Sequence, residues 1–327
     1  MGPGSPLRQR SEQRLISSEL TAHPKSPITV MFVSGWGRSG STLLSRLLGQ
    51  IPGFLAVGEL RYIWDRGLLQ NLPCACSLPF RECPFWSQAA DYLTGRPRKE
   101  IERLVAIRDT FKTRHCLWRS PLGEELSEYV QNLGQLYHRI QEVSGCQVII
   151  DSSKFPSHGV LLDAIPDIDL FVLHLIRDSR AVAFSWKKRK LYQTTGDLHY
   201  MSRQGLLRSS VYWMVWNAIT EFLWSGRAAE GRYLQLRYEE LTAGPLQVLG
   251  GIQSFVNQEG SLDFFAGSHA AYLNPTHEVS GNPSRFAAGM IEILKDEEWC
   301  ERMPRRDRIL VSGVTAPFLY RYGYFGE

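Results

Sequence analysis

No run of about 18 or more apolar residues occurs in the 327-residue chain, which argues against a membrane-spanning helix. Cysteine is sparse and irregular. Three of the six cluster as Cys74, Cys76 and Cys83, while Cys116, Cys146 and Cys300 are scattered, so no disulfide framework is visible. An excess of charge of one sign is also missing. Thirty-seven Lys and Arg against 33 Asp and Glu leave a formal charge of +4, too little for a nucleic-acid binder, although a slight basic excess suits an anionic ligand. Internal repeats and low-complexity linkers are absent. Residues 1–25 carry no apolar signal-peptide core: Met1–Ser5 read as a vector-derived scar and the remainder as a flexible polar N-terminus, with the cytoplasm as the expected location.

What is present is an ordinary globular composition, 43% apolar and 21% charged, enough for a sizeable core. Ile28–Ser34 is a β-branched and aromatic run that predicts a buried strand. It leads into Gly35-Trp36-Gly37-Arg38-Ser39-Gly40-Ser41-Thr42. Leu43, Leu44, Leu47 and Leu48 then recur at helical spacing, and Pro52-Gly53 ends that helix. Strand, glycine-rich turn and helix make half of a βαβ unit. Further strands are predicted at 54–57, 147–150, 170–176 and 233–237. Helix is predicted over most of 98–145, with a break near Ser120-Pro121, and over 181–190; residues 60–95 read as irregular. The fold class is therefore α/β, with a central, mostly parallel sheet flanked by helices, in one domain spanning 26–327. Ligands of such sheets sit beyond the strand C-termini. Polar clusters lie at those ends: Asp151-Ser152-Ser153-Lys154 and Arg177-Asp178-Ser179-Arg180.

A glycine-rich turn that opens a helix binds anions, because unpaired backbone N–H groups and the helix dipole point at the ligand. Gly35 and Gly40 have the spacing of a nucleotide-binding P-loop. The next residues are Ser41 and Thr42, however, where an ATP- or GTP-hydrolysing loop carries Lys and then Ser or Thr. The cation here is Arg38, inside the turn. A fixed cation and backbone donors can hold a phosphosulfate without the Mg²⁺ that a polyphosphate needs.

This loop closely resembles the 5′-phosphosulfate loop of sulfotransferases that use 3′-phosphoadenosine-5′-phosphosulfate (PAPS). The run His174 to Trp186 resembles the family's 3′-phosphate motif, which implies that Arg177 and Ser185 hold that phosphate; a guanidinium can do so in a bidentate way. Arg237-Tyr238-Glu239-Glu240-Leu241 is similar to the segment whose tyrosine lies near the adenine, here Tyr238. Ser280-Gly281-Asn282-Pro283-Ser284-Arg285 resembles a late loop that closes over the nucleotide, with Asn282 and Arg285 as its contacts. The resemblance covers about residues 28–325. It implies a P-loop-like fold and in-line sulfuryl transfer from PAPS to an acceptor hydroxyl, with release of 3′-phosphoadenosine-5′-phosphate (PAP) and no metal requirement. The loop residues Gly37, Arg38, Ser39, Gly40, Ser41, Thr42 and Leu43 would cradle the 5′-phosphosulfate.

For the base, Glu59 is preferred, since it follows the second strand and so reaches the same sheet edge. Cytosolic family members place a His after the strand preceding the 3′-phosphate motif. Here that stretch is Asp151-Ser152-Ser153-Lys154-Phe155-Pro156, without one. Lys154 is expected to touch the sulfuryl oxygens, Asp151 is a secondary base candidate, and His158 reads as a turn-exposed bystander. His277 could meet the acceptor. Cys74, Cys76 and Cys83 offer three zinc ligands with no clear fourth, so a structural role is expected and no metal site. The acceptor hydroxyl is open among carbohydrates, other small metabolites, lipids, phenols and polyketide-type acyl chains; Lys187-Lys188-Arg189-Lys190 could dock an acidic carrier protein, which would fit a domain cut from a modular synthase acting on a carrier-bound β-hydroxyacyl chain. Gln193 to Arg208 could form a lid. Tyr212, Trp213, Trp216 and Trp224 read as core. A P-loop kinase or NTPase, with Val148–Asp151 as its Walker-B strand, and a catalytically silent nucleotide-binding scaffold are the competing readings.

Overall fold

The computed structural model describes residues 27–118, 121–189, 191–193, 198–200 and 202–325. The expected N-terminal scar and tail, Lys190 and part of the expected lid lie outside these residues. Five parallel strands form the central sheet: β1 (Ile28–Ser34), β2 (Phe54–Gly58), β3 (Val148–Lys154), β4 (Ile168–Ile176) and β5 (Tyr233–Arg237). Their order is β2-β3-β1-β4-β5. β1 therefore lies at the centre, with β3 and β4 on its two sides, and the chain builds outward in opposite directions from it. That is the topological switch point at which open α/β sheets bind ligands.

β1 is buried along almost its whole length, as its continuous apolar run requires for a strand covered on both faces. One core layer includes Phe32, Trp64, Tyr129, Tyr137 and Trp224; the other includes Met31, Leu44, Leu47, Leu173 and Leu249. The helix after the glycine-rich turn, α1, spans Ser41–Leu48, so it stops at Gly49, before the expected Pro52-Gly53 break. Helix α2 (Arg98–Thr110) and helix α3 (Glu124–Ser144) fill the region predicted to be helical. Short 3₁₀, π and α turns occupy 60–94.

One strand departs from expectation. β3 continues through Asp151, Ser152 and Ser153 to Lys154, where a polar loop was predicted. The three polar residues are nonetheless buried. Asp151 accepts hydrogen bonds from the Tyr137 hydroxyl, at 2.5 Å, and from the Ser153 amide, at 2.8 Å, and lies 2.8 Å from His158 Nε2. A buried carboxylate is tolerated when its lone pairs are this fully engaged. Burial alone would push the Asp151 carboxyl up, but His158 and these donors outweigh it and hold it below the usual range. His158 itself is fully buried in helix α4 (Pro156–Asp163), not exposed on a turn.

Helix α5 (Ser179–Lys187) follows β4, and helix α6 (Leu206–Trp224) packs across it. α6 is tied to the sheet by His174 of β4. The His174 Nε2 nitrogen lies 2.9 Å from Asn217 Oδ1 and Nδ1 lies 2.8 Å from the Tyr233 hydroxyl. Burial lowers the His174 pKa to about 4, so the ring is neutral near pH 7. The unfolded chain binds this proton with the ordinary value of 6.5, so stability is present above that pH and is lost as pH falls towards 4. Thermal melts between pH 6.5 and 5 should show the wild type losing stability on acidification more steeply than His174→Gln. Equal slopes would remove His174 as the cause.

Candidate active site

The turn after β1 has the backbone of an anion nest. Gly35, Arg38 and Gly40 take φ of 131°, 73° and 93°, all in the left-handed region. At Gly35 a Cβ would lie 2.3 Å from the Leu175 carbonyl oxygen, and at Gly40 it would lie 2.4 Å from the Tyr238 ring, so both positions demand glycine. Gly40 caps α1 without any side-chain hydrogen bond. The first intrahelical bond is from Leu44 N to Gly40 O, leaving the amides of Ser41, Thr42 and Leu43 without helical acceptors. Arg38, which carries a positive φ despite its Cβ, is a strained position of the kind that clusters at functional sites.

A cavity of about 540 Å³ opens over this turn. It brings together Arg38 and the α1 N-terminus, Glu59 after β2, Lys154 at the end of β3, Arg177 after β4, Ser185 on α5 and Tyr238 after β5. Gly281 and Asn282 close one side. Seven predicted site residues far apart in sequence thus face one space because the parallel strands end on one edge.

Glu59 and Lys154 form an ion pair, with Lys154 Nζ donating to Glu59 Oε1 at 2.6 Å. Lys154 also donates to the Ser152 carbonyl at 2.9 Å and holds a φ of 70°. Its side chain is thereby turned back onto the sheet edge rather than left to range in solvent. Burial lowers the Arg38 pKa, while Glu59 acts to raise it. Arg38 also lies over the Trp186 ring, at 4.9 Å from its centroid. Arg177 donates from Nη1 to the Arg38 carbonyl at 3.3 Å and pairs with Asp296 at 3.0 Å, and its guanidinium stacks 4.4 Å over the Tyr238 ring. Arg177 Nε, Ser39 Oγ and Trp36 Nε1 are buried without a hydrogen-bond partner among the described residues. Two of these donors, Arg177 Nε and Trp36 Nε1, belong to residues that line the cavity, where an anionic ligand would give them an acceptor.

Other predicted residues lie elsewhere. Ser39 is buried under the turn and does not line the cavity. Arg285 sits behind the 281–284 segment, donating to the carbonyls of Gly281 and Pro73. His277 does not reach the cavity: its ring stacks on Phe85 and its Nδ1 lies 3.2 Å from Cys83 Sγ. Asp151 is consumed in the core, which removes it both as a base and as a Walker-B metal ligand. Lys187 and Lys188 do not line the cavity and pair with Asp307 and Glu298, so neither is an open docking charge. At the start of the expected lid, Gln193 and the two residues before it pair with Leu198–Tyr200 in antiparallel fashion, and further along the lid Ser202 and Gln204 line the cavity.

The structure adds an aromatic wall that sequence reasoning missed. Tyr62, Phe155, Trp186 and Trp216 line the cavity, with the Phe155 and Trp216 rings 5.8 Å apart and Trp36 packed on Trp216 at 4.8 Å. Trp213 and Trp224 are core as expected, but Trp216, on the same helix, faces the cavity. Helical spacing separates the faces, and only the packing of α6 decides which of them opens on a ligand.

A family model described as the sulfotransferase family matches residues 31–260. The chain belongs to that family and is a sulfotransferase. Among solved structures it is similar to the sulfotransferase domain from the Synechococcus PCC 7002 olefin synthase, at 19% identity and a TM-score of 0.50, covering 90% of this chain and 96% of that one. It is also similar to the sulfotransferase domain from the curacin biosynthetic pathway (15% identity, TM-score 0.45, 89% and 98% covered). A third is sulfotransferase STF9 from Mycobacterium avium (14% identity, TM-score 0.42, 96% and 80% covered). No curated protein matches the chain by sequence. The five-stranded parallel sheet with its P-loop-like turn is the fold that the first of these structures shares.

Proposed function

We propose that this sulfotransferase takes PAPS as its donor and transfers the sulfuryl group to a hydroxyl carried on an apolar or flat body. The observation that carries the donor reading is one cavity holding an anion nest at Arg38 and, beside it, Arg177 with Ser185. The free amides of Ser41, Thr42 and Leu43 on one side and the orphaned Arg177 Nε on the other fit a ligand with two separated anionic groups. PAPS would supply an activated sulfuryl group on a phosphate leaving group. The α1 amides and Arg38 would hold the 5′-phosphosulfate; Arg177 and Ser185 would hold the 3′-phosphate, with Tyr238 beneath Arg177.

Glu59 accepts the proton of the acceptor hydroxyl as that oxygen bonds to sulfur. Lys154, 2.6 Å from Glu59, keeps the carboxylate aimed and offers a positive charge to the sulfuryl oxygens. Arg38 and the amides of Ser41, Thr42 and Leu43 take up the charge that develops as the bond from sulfur to the phosphate oxygen breaks. Because they are fixed by the fold, they need not reorganise during the reaction. A metal has no step in this scheme.

The aromatic wall supports the acceptor reading. A carrier-bound β-hydroxyacyl chain, another candidate acceptor, loses the support of the Lys187–Lys190 run, whose first two residues are paired within the chain. The test is to incubate the chain with PAPS without added metal and offer phenols, long-chain alcohols and free sugars in turn. PAP and sulfated product should appear in equal amounts with the first two classes. Trp216→Ala should raise the KM for them about tenfold, since a large apolar contact is worth roughly 1.5 kcal/mol or more, without weakening PAP binding. Turnover confined to free sugars would overturn the acceptor reading.

A further inference from the structure

Cys74, Cys76, Cys83 and His277 converge away from the cavity, each with one ligand-type atom, and those four atoms all lie within 4.8 Å of one another. We propose that these four residues form a closed zinc site that fastens the active-site strap to the body of the protein. His277 is the fourth ligand that the sequence does not reveal, because it lies 194 residues beyond Cys83.

The spacing fits a tetrahedral site. Zn–S and Zn–N bonds of about 2.3 and 2.05 Å set a sulfur-to-nitrogen edge of roughly 3.6 Å. His277 Nδ1 lies 3.2 Å from Cys83 Sγ and 4.0 Å from Cys74 Sγ, which bracket that edge. The first two cysteines sit in a knuckle. A bridge between Pro73 and Pro79 closes it, Ser77 turns it with a φ of 71°, and Cys74 N donates to the Leu78 carbonyl at 2.9 Å. Backbone amides point at the sulfurs: those of Cys76 and Leu78 at Cys74 and Cys76, and those of Phe85 and Trp86 at Cys83. Amide donors of this kind stabilise thiolates bound to a metal. The histidine is held from behind as well, by stacking on Phe85 and by the Trp86 indole, which donates to the His277 carbonyl at 2.6 Å. A disulfide between two of the cysteines would account for neither the remaining cysteine nor the histidine.

Four protein ligands leave no open position, so the site is structural. Its mechanical consequence can be followed along the chain. From His277 the strap runs beside β2, with Val279 N donating to the Val57 carbonyl and the Ser280 carbonyl accepting from Glu59 N, and then delivers Gly281 and Asn282 to the cavity. The metal would lock the register of that strap against the loop carrying Cys74.

The test begins with metal analysis of the full chain purified under reducing conditions. About one zinc per chain is expected, as one tetrahedral site requires. After removal with chelator, Co²⁺ should bind stoichiometrically with the sulfur charge-transfer and intense visible bands of a tetrahedral thiolate site. His277→Ala should lose the metal and His277→Cys should keep it, because a fourth thiolate completes the same geometry. If the variants do not fold, the zinc content and Co²⁺ spectrum of the wild type still decide the question. Wild-type chain that neither contains nor takes up metal, a disulfide among the three cysteines in the native protein, or zinc retained in full by folded His277→Ala would each overturn the site. None of these readouts depends on the donor or acceptor proposed above.

Discussion

Glu59→Gln is expected to lower kcat about 10²- to 10⁴-fold, the range that a positioned general base contributes, while PAP binds as it does to the wild type. The substitution keeps the shape of the side chain and an oxygen for Lys154 to donate to, so the ion pair becomes an ordinary hydrogen bond and the surroundings need not move. What is lost is the capacity to accept a proton. The variant should therefore fail in the chemical step and not in binding. Turnover near the wild-type level would show that Glu59 only holds Lys154 in place. The base would then have to be sought on the acceptor itself, because Asp151 is sealed in the core by Tyr137, Ser153 and His158.

Arg177→Ala should act on the other half of the reaction. Hydrogen bonds to a charged partner are worth about 1.5–3 kcal/mol, which is roughly a 10- to 150-fold rise in Kd for PAP. ADP, which lacks the 3′-phosphate, should be bound almost equally by variant and wild type. The contrast between the two nucleotides is the informative quantity. Arg177 also holds the Arg38 carbonyl and stacks on Tyr238, so a merely structural role would weaken both nucleotides alike. Equal loss for PAP and ADP would count against a 3′-phosphate site.

The sheet was legible because its strands are short apolar runs bounded by turns: β1 and β5 fall where the sequence places them. The turn after β1 was legible for a related reason. Gly35, Gly40 and Arg38 are local in sequence, and their spacing states the backbone geometry directly. β3 was misread at its end because Asp151, Ser152 and Ser153 look like solvent-facing residues. Their partners, Tyr137 and His158, come from helices on either side in sequence, and no local pattern announces that pairing. The aromatic wall was hidden by a similar degeneracy. Trp213 and Trp216 are equally apolar, and only the way α6 lies against Trp36 and Phe155 turns one inward and the other to the cavity. His277 is the extreme case, since nothing in its neighbourhood points to a cysteine knuckle in the first third of the chain.

The central claim is that the cavity over the Gly35–Gly40 turn is built for PAPS rather than for a nucleoside triphosphate. Calorimetric titration of the wild-type chain with PAP without added Mg²⁺, followed by ATP with Mg²⁺, decides between the two. PAP should bind stoichiometrically without Mg²⁺ and give a melting shift to match, about 2.7 kcal/mol of stabilisation at a hundredfold excess over Kd. Tight binding of Mg-ATP with no binding of PAP would contradict it and return the turn to the kinase and NTPase reading.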